Sequence, residues 1–201
     1  MWQKPGGRAM RFEATQRFAV DSVAFSWQAR FRMAGPIAIR VVDDYADGEG
    51  GLEVRVLGIP IRRQTGREIV AGEALRYLAE LPWVPYAIVR NRELEWREAG
   101  ERRVEVATRV GGERLMVELQ FDAAGNLTRS SSEMRLLEVE KAWVPAPWAG
   151  DFSEYELVGG IRIPTRAEVY WELESGRFVY WRGQVTAVDL LEKPFQGRRG
   201  G

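Results

Sequence analysis

Arg103-Val104-Glu105-Val106-Ala107-Thr108-Arg109-Val110-Gly111-Gly112-Glu113-Arg114-Leu115-Met116-Val117-Glu118-Leu119-Gln120-Phe121 is the stretch that decides the fold class. Val104, Val106, Thr108 and Val110 alternate with Arg103, Glu105, Ala107 and Arg109. After the glycine pair, Leu115, Val117, Leu119 and Phe121 alternate with Arg114, Met116, Glu118 and Gln120. Side chains of a strand point to opposite faces in turn, so this two-residue rhythm predicts two half-buried strands. Gly111-Gly112 predicts a tight hairpin between them, because both central turn residues can take positive φ.

The same rhythm extends in both directions. Downstream, Asp122 to Asn126 reads as a turn and Leu127 to Glu138 as a third strand. Trp143, Pro145, Pro147, Trp148 and Gly150 read as an aromatic and proline loop. Gly159-Gly160 marks another hairpin, Ala167, Val169, Trp171 and Leu173 alternate with acidic and tyrosine neighbours, and Phe178 to Leu191 reads as the last long strand. Upstream, Phe25, Trp27, Ala29 and Phe31 alternate with Ser26, Gln28 and Arg30. Gly35-Pro36 breaks the chain, Ile37 to Tyr45 resumes, and Asp47 to Gly51 turns into Leu52, Val54 and Val56.

One segment departs from the rhythm. Ala74, Leu75, Leu78 and Ala79 recur at helical spacing, which predicts a helix near 71–81 ended by Pro82. About nine or ten strands and one main helix follow. Short links favour antiparallel pairing. A single helix covers only part of so large a sheet. The expected architecture is therefore mainly β (α+β): one strongly curved antiparallel sheet or half-open barrel, with the helix packed on or across it. No linker divides the chain, so residues 8–191 are expected to form one domain between flexible ends at 1–7 and 192–201.

Composition removes several chemistries. The chain has 201 residues with 29 basic and 29 acidic side chains, so it lacks the net basic field of a general nucleic-acid surface. It has no cysteine and no histidine. Thiol catalysis, iron–sulfur ligation, imidazole zinc sites and serine–histidine triads are excluded with them. No cofactor is called for. No run of apolar residues is long enough for a membrane span, and residues 1–10 lack the apolar core of a signal peptide. The chain as given reads as cytoplasmic, or as envelope-associated if an upstream segment precedes it.

Eight tryptophans stand out. They suit a broad apolar cavity with a few N–H donors, although large rings also fill ordinary cores. Arg76, Trp83, Trp96, Trp171 and Tyr155 are the candidate ligand-binding residues. If the helix lies over a sheet opening, Arg76 can meet a carboxylate or phosphate head group, while Glu73 and Glu80 make a plainer structural ion pair with it. Asp43, Asp44, Asp47 and Glu49 form an acidic group, with Asp44 and Asp47 as weak metal candidates. The register of a calcium loop fails there, because Tyr45 and Val54 occupy positions that need oxygen ligands. Glu168, Tyr170 and Glu172 share a strand face, and Asp151 and Glu154 lie near Trp148. Such carboxylates could serve acid–base chemistry, but any solvent-facing strand looks the same.

Phe25 to Arg30, Asp44 to Gly50, Gly72 to Glu80, Trp83 to Ala87, Leu94 to Trp96, Phe121 to Gly125, Pro147 to Gly150, Tyr155, Gly160 to Pro164, Glu168 and Trp171 occur in an order that resembles an uncharacterised bacterial family, a domain of unknown function with no assigned activity or site residues. Members of that family often carry hydrophobic segments ahead of this region. The hairpin rhythm is also similar to that of the bacterial lipoprotein carriers, half-open barrels that hold acyl chains; this is an analogy of fold. Three functions are expected from these readings. The first is binding or carriage of a lipid or other elongated hydrophobic ligand. The others are a structural or protein-interaction module of the cell envelope, and a carboxylate-dependent hydrolase.

Overall fold

The quoted hairpin forms as its alternation requires. In the computed structural model, which describes residues 1, 6–32, 38–191 and 195, Arg103–Val110 pairs antiparallel with Glu113–Phe121. Val104 lies opposite Leu119, Val106 opposite Val117 and Thr108 opposite Leu115. Gly111 and Gly112 take φ of 57° and 85°, a turn that needs both residues in the left-handed region. Gly159 and Gly160 repeat it at 56° and 80°. The Gly35-Pro36 break, Trp2 and most of the two ends expected to be flexible lie outside the described residues.

Twelve strands are present among the described residues, in two antiparallel sheets. The first sheet runs in chain order through β1 (Phe12–Phe18), β2 (Phe25–Arg32), β3 (Ala38–Ala46), β4 (Glu49–Val56) and β5 (Ile59–Gln64). The second is a meander of β6 (Glu95–Gly100), β7 (Arg103–Val110), β8 (Glu113–Phe121), β9 (Leu127–Val139), β10 (Ala142–Val158), β11 (Ile161–Leu173) and β12 (Gly176–Gln184). Between them come α1 (Arg67–Ala79), a one-turn 3₁₀ helix (Leu81–Trp83) and α2 (Pro85–Arg90).

The expected single curved sheet or half-open barrel is therefore wrong. Among the described residues no strand of the first sheet pairs with one of the second, and neither sheet closes on itself. The physical reason is the helical segment. It separates β5 from β6 and enters the interior, so the ladder cannot continue from one meander to the next.

Several local readings change too. The helix begins four residues earlier than Ala71, where Ile69 and Val70 hide the first turn because β-branched residues favour strands. The expected aromatic loop at Trp143–Gly150 is part of the seventeen-residue β10. Pro145 and Pro147 are tolerated because β10 pairs only with β9 there; its ladder with β11 starts at Trp148. The last strand ends at Gln184, not Leu191.

Helix α1 is packed on both sides, against β3 and β4 of the first sheet and β7, β8 and β9 of the second. This explains why Glu73, Ala74, Leu75, Tyr77, Leu78 and Ala79 are all buried. A helix apolar on one stripe needs one neighbour; one buried over most of its girth needs two. One hydrophobic cluster joins Phe25, Trp27 and Phe31 of the first sheet, Leu75 and Leu78 of α1, and Val106, Val117 and Trp148 of the second. The sheets also touch directly, where Phe12 of β1 meets Trp181 of β12 with ring centroids 6.1 Å apart.

Leu78→Ala should lower stability by about 2–5 kcal/mol in chemical denaturation, since it opens a cavity in this shared core. Leu157→Ala, at a side chain 74% exposed, should change it by about 0.5 kcal/mol or less. Equal effects at the two positions would contradict the placement of α1.

Candidate functional site

The interior between the sheets contains a charged cluster. On α1, spacings of three and four residues place Glu73, Arg76 and Glu80 on one side. That side meets β3. The inward set of β3 is Ile39, Val41, Asp43 and Tyr45, so Asp43 is a carboxyl group on an otherwise apolar face. Asp43 is 5% exposed and Glu73 7%.

Arg76 links these groups. Its Nη1 donates to Asp43 Oδ2, and its Nε donates to Glu80 Oε1 at 2.8 Å. Glu73 Oε2 stands 4.0 Å from Nη1. Gln16 of β1 donates to the other oxygen of Glu80 at 2.5 Å. The guanidinium carbon lies 4.9 Å from the ring centre of Phe25 and 5.2 Å from that of Trp27, so two aromatic faces complete its shell.

The second sheet supplies the opposite wall. Arg135 of β9 stacks 4.2 Å over Trp148 of β10. Trp148 Nε1 donates to the hydroxyl of Tyr180 on β12 at 3.0 Å. Tyr180 in turn stacks on Trp171 of β11, with centroids 6.4 Å apart.

Burial pushes the Glu73 carboxyl well above the ordinary glutamate range, and the neighbouring Asp43 charge adds to this. Burial also raises Asp43, against the pull of Arg76. For Arg76, burial works against the charge, but Glu80, Asp43 and Glu73 together outweigh it and hold the guanidinium protonated. Burial raises the Tyr180 phenol.

Four buried polar atoms have no hydrogen-bond partner among the described residues: Asp43 Oδ1, Glu73 Oε2, Ser130 Oγ and Arg135 Nη1. Asp43 and Glu73 are close enough to hydrogen-bond through a proton. A proton held between the two carboxyl groups would give them a mutual hydrogen bond. It belongs on Glu73, because Arg76 bonds directly to Asp43. Three carboxyl groups face two guanidinium groups, so this one proton also leaves the cluster neutral. Arg135 Nη1 and Ser130 Oγ, both on β9, remain without an acceptor.

The candidate residues read from sequence divide into two sets. Arg76, Trp83 and Trp171 border the interior. Trp83 donates its Nε1 to Pro164 O at 3.0 Å and packs edge-on against Phe152, with centroids 5.3 Å apart. Trp96 and Tyr155 have other surroundings. Trp96 is 40% exposed on the edge strand β6 and lines an open depression of about 430 Å³ with Arg97 and Arg103. Tyr155 donates to Leu127 O at 2.8 Å, lies under Arg162, and is pushed up to about 12 by burial. A second open depression, of about 400 Å³, involves Asp151, Arg166, Glu168 and Arg182.

Asp44 points to the opposite face of β3 from Asp43, and Asp47 occupies the β3–β4 turn at φ 54°. Among the described residues no three acidic side chains gather as a metal site. Glu168 pairs with Arg182 at 2.9 Å, Glu172 with Arg177 at 2.7 Å and Glu154 with Arg166 at 2.6 Å. Tyr170 donates to Asp151 at 2.9 Å. Sequence reading placed Asp43 in the acidic turn and among the carboxylates of an acid–base site, named Trp148 with the other tryptophans, and did not single out Arg135 or Tyr180. The inward parity of Asp43 was available as a signal for the first.

These features define a two-sheet β protein with a helix inside it and a buried carboxyl–guanidinium cluster where the layers meet. The chain belongs to the family of unknown function DUF6544, whose model matches residues 1–183. No curated protein and no solved structure matches it. No helix among the described residues is long and apolar enough to cross a membrane.

The shared proton sets a pH dependence. A carboxyl group raised in the folded state binds more protons there than in the unfolded chain, so stability falls as pH rises from the ordinary value of 4.5 through the raised one. One proton contributes a slope of at most about 1.4 kcal/mol per pH unit. Glu73→Gln should flatten this part of the profile and make the protein less sensitive to alkaline pH. Denaturation of both proteins from about pH 5 to about pH 9 checks it; parallel profiles would mean that Glu73 holds no proton.

Proposed function

We propose that the protein binds an amphiphilic ligand between its two sheets, with an acceptor-bearing head group at the charged cluster and an apolar body along the aromatic wall. The observation that carries this reading is the buried Arg135 Nη1 of β9, which has no acceptor among the described residues. A buried donor without an acceptor costs about 1–3 kcal/mol, so it calls for a partner from outside the chain, water or ligand. The cluster is neutral once the Asp43–Glu73 proton is counted. It therefore suits an acyl carbonyl or a carboxyl group better than a strongly charged head. Trp148, Trp171 and Tyr180 supply flat apolar surface close by.

Among the described residues no β-ladder joins the sheets, which permits separation without breaking one. That supports access from the seam. Tryptophan fluorescence titrated with fatty acids and acyl esters of increasing chain length should shift in a saturable way. Arg135→Gln should weaken binding about tenfold, the value of one hydrogen bond near 1.4 kcal/mol. An unchanged emission spectrum across chain lengths, together with no amphiphile in organic extracts of the purified protein, would rule the reading out.

The Asp43–Glu73 pair favours a second reading, carboxylate acid–base hydrolysis. Two carboxyl groups held in opposite protonation states are what such chemistry uses. It predicts ester or glycoside turnover that Asp43→Asn abolishes; the binding reading predicts no turnover.

A further inference from the structure

Where the β9–β10 turn has the charged Glu140 and Lys141 in the left-handed region, the β4–β5 hairpin places a large apolar residue there. Its central residues are Leu57 and Gly58, with φ of 51° and 83°. This turn type favours asparagine or aspartate followed by glycine, as Asp47-Gly48 provides one hairpin earlier. Leucine gains nothing from that backbone conformation, and here it gains no packing either. Leu57 is 69% exposed, Ile59 65% and Ile61 62%. Leu57 and Ile59 thus lie exposed at the end of the hairpin, and Ile61 is exposed at the bulge level with Arg55.

A row of arginines lies just behind this end. Arg30 of β2 is directly opposite Arg40 of β3, and Arg40 is directly opposite Arg55 of β4. Like charges in facing positions destabilise a sheet. Glu53 engages Arg55, and Glu13, directly opposite Arg30, bonds to Arg32; among the described residues no carboxylate forms an ion pair with Arg30 or Arg40. Arg55 precedes Leu57 by two residues, so the row stands about 7 Å behind the tip at the rise of a strand. That offset matches the depth between an acyl boundary and its head groups.

We infer that the first sheet docks on an anionic lipid surface, with Leu57 and Ile59 entering the acyl boundary and the arginine row, with Ile61 beside it, at head-group level. Lattice-like pairing with a second copy fits less well. The outer strand β5 carries Pro60 beside a bulge at Val54/Arg55, which breaks the row of edge groups that strand addition needs. The arginines also require an anionic partner, and a second copy presents the same cations.

The experiment is vesicle co-sedimentation of the full chain. Vesicles of phosphatidylcholine mixed with phosphatidylglycerol should retain the protein, phosphatidylcholine alone should retain far less, and added salt should release it. Leu57→Asn places a residue suited to the turn, so it should keep or raise Tm while weakening sedimentation about tenfold. Arg40→Gln should weaken it and reduce the salt dependence. Three results would overturn the inference: no sedimentation with either vesicle, equal retention on both, or retention unchanged in both variants. A dimer in light scattering that Leu57→Asn abolishes, without vesicle binding, would assign the hairpin to self-association instead.

Discussion

The Arg76 guanidinium is the group on which the inner architecture turns. It lies between Asp43 of the first sheet and Glu80 at the end of α1, under the rings of Phe25 and Trp27. Removing a partner from a buried ion pair leaves an uncompensated charge, at a cost of about 3–5 kcal/mol. An apolar replacement of the whole set could be equally stable. What the charges add is position. Leucine and alanine would let α1 slide or rotate between two apolar sheets, whereas the Arg76–Asp43 bond fixes both its turn and its depth.

That constraint explains why two open sheets form one interior. Each meander has two edges and one face in need of cover. Helix α1 lies against both faces, and the aromatic contacts Phe12–Trp181 and Trp83–Trp181 join the layers around it. The strand rhythm was legible because it is local: a residue's parity decides its face, and a glycine pair decides its turn. The number of sheets was not legible in the same way. Alternation says which side of a strand is apolar, but not which ladder the strand joins. The break between ladders lies in Arg67–Arg90, and there Ile69-Val70 and Trp83-Val84 resemble strand sequence more than helix.

The site was partly legible for a related reason. Glu73, Arg76 and Glu80 follow from helical spacing alone. Their partner Asp43 could be reached by carrying parity along β3, where it falls with Ile39, Val41 and Tyr45. It sits beside Asp44 in the sequence, however, and two adjacent aspartates before a turn read as one solvated group. Their side chains point to opposite faces, and only one of them enters the core. Arg135 had no such signal. Between Ser132 and Arg135, opposite Trp148 and Ala146 of β10, β9 carries one extra residue, so counting by two along β9 misplaces Arg135. Trp96 lies on the edge strand of the second sheet, beside an open surface depression and apart from the interior.

Any ligand that enters the seam must deal with the same electrostatics that hold it shut. Moving the first sheet away from α1 would strip Asp43 from Arg76, so under the proposed binding mode the helix stays with β3. On the side of the second sheet the restraints are softer. Arg135 rests on Trp148 by a cation–aromatic contact and its Nη1 is unpaired, while the nearby surface bond between Arg62 and Glu138 spans 3.7 Å with both groups largely in water. Exposed pairs of that kind contribute about 0–1 kcal/mol. The polar restraints on the β9 side of α1 are therefore weaker than those on the β3 side. The β9 side is also where a new acceptor gains most, because it meets a donor that the fold leaves unpaired.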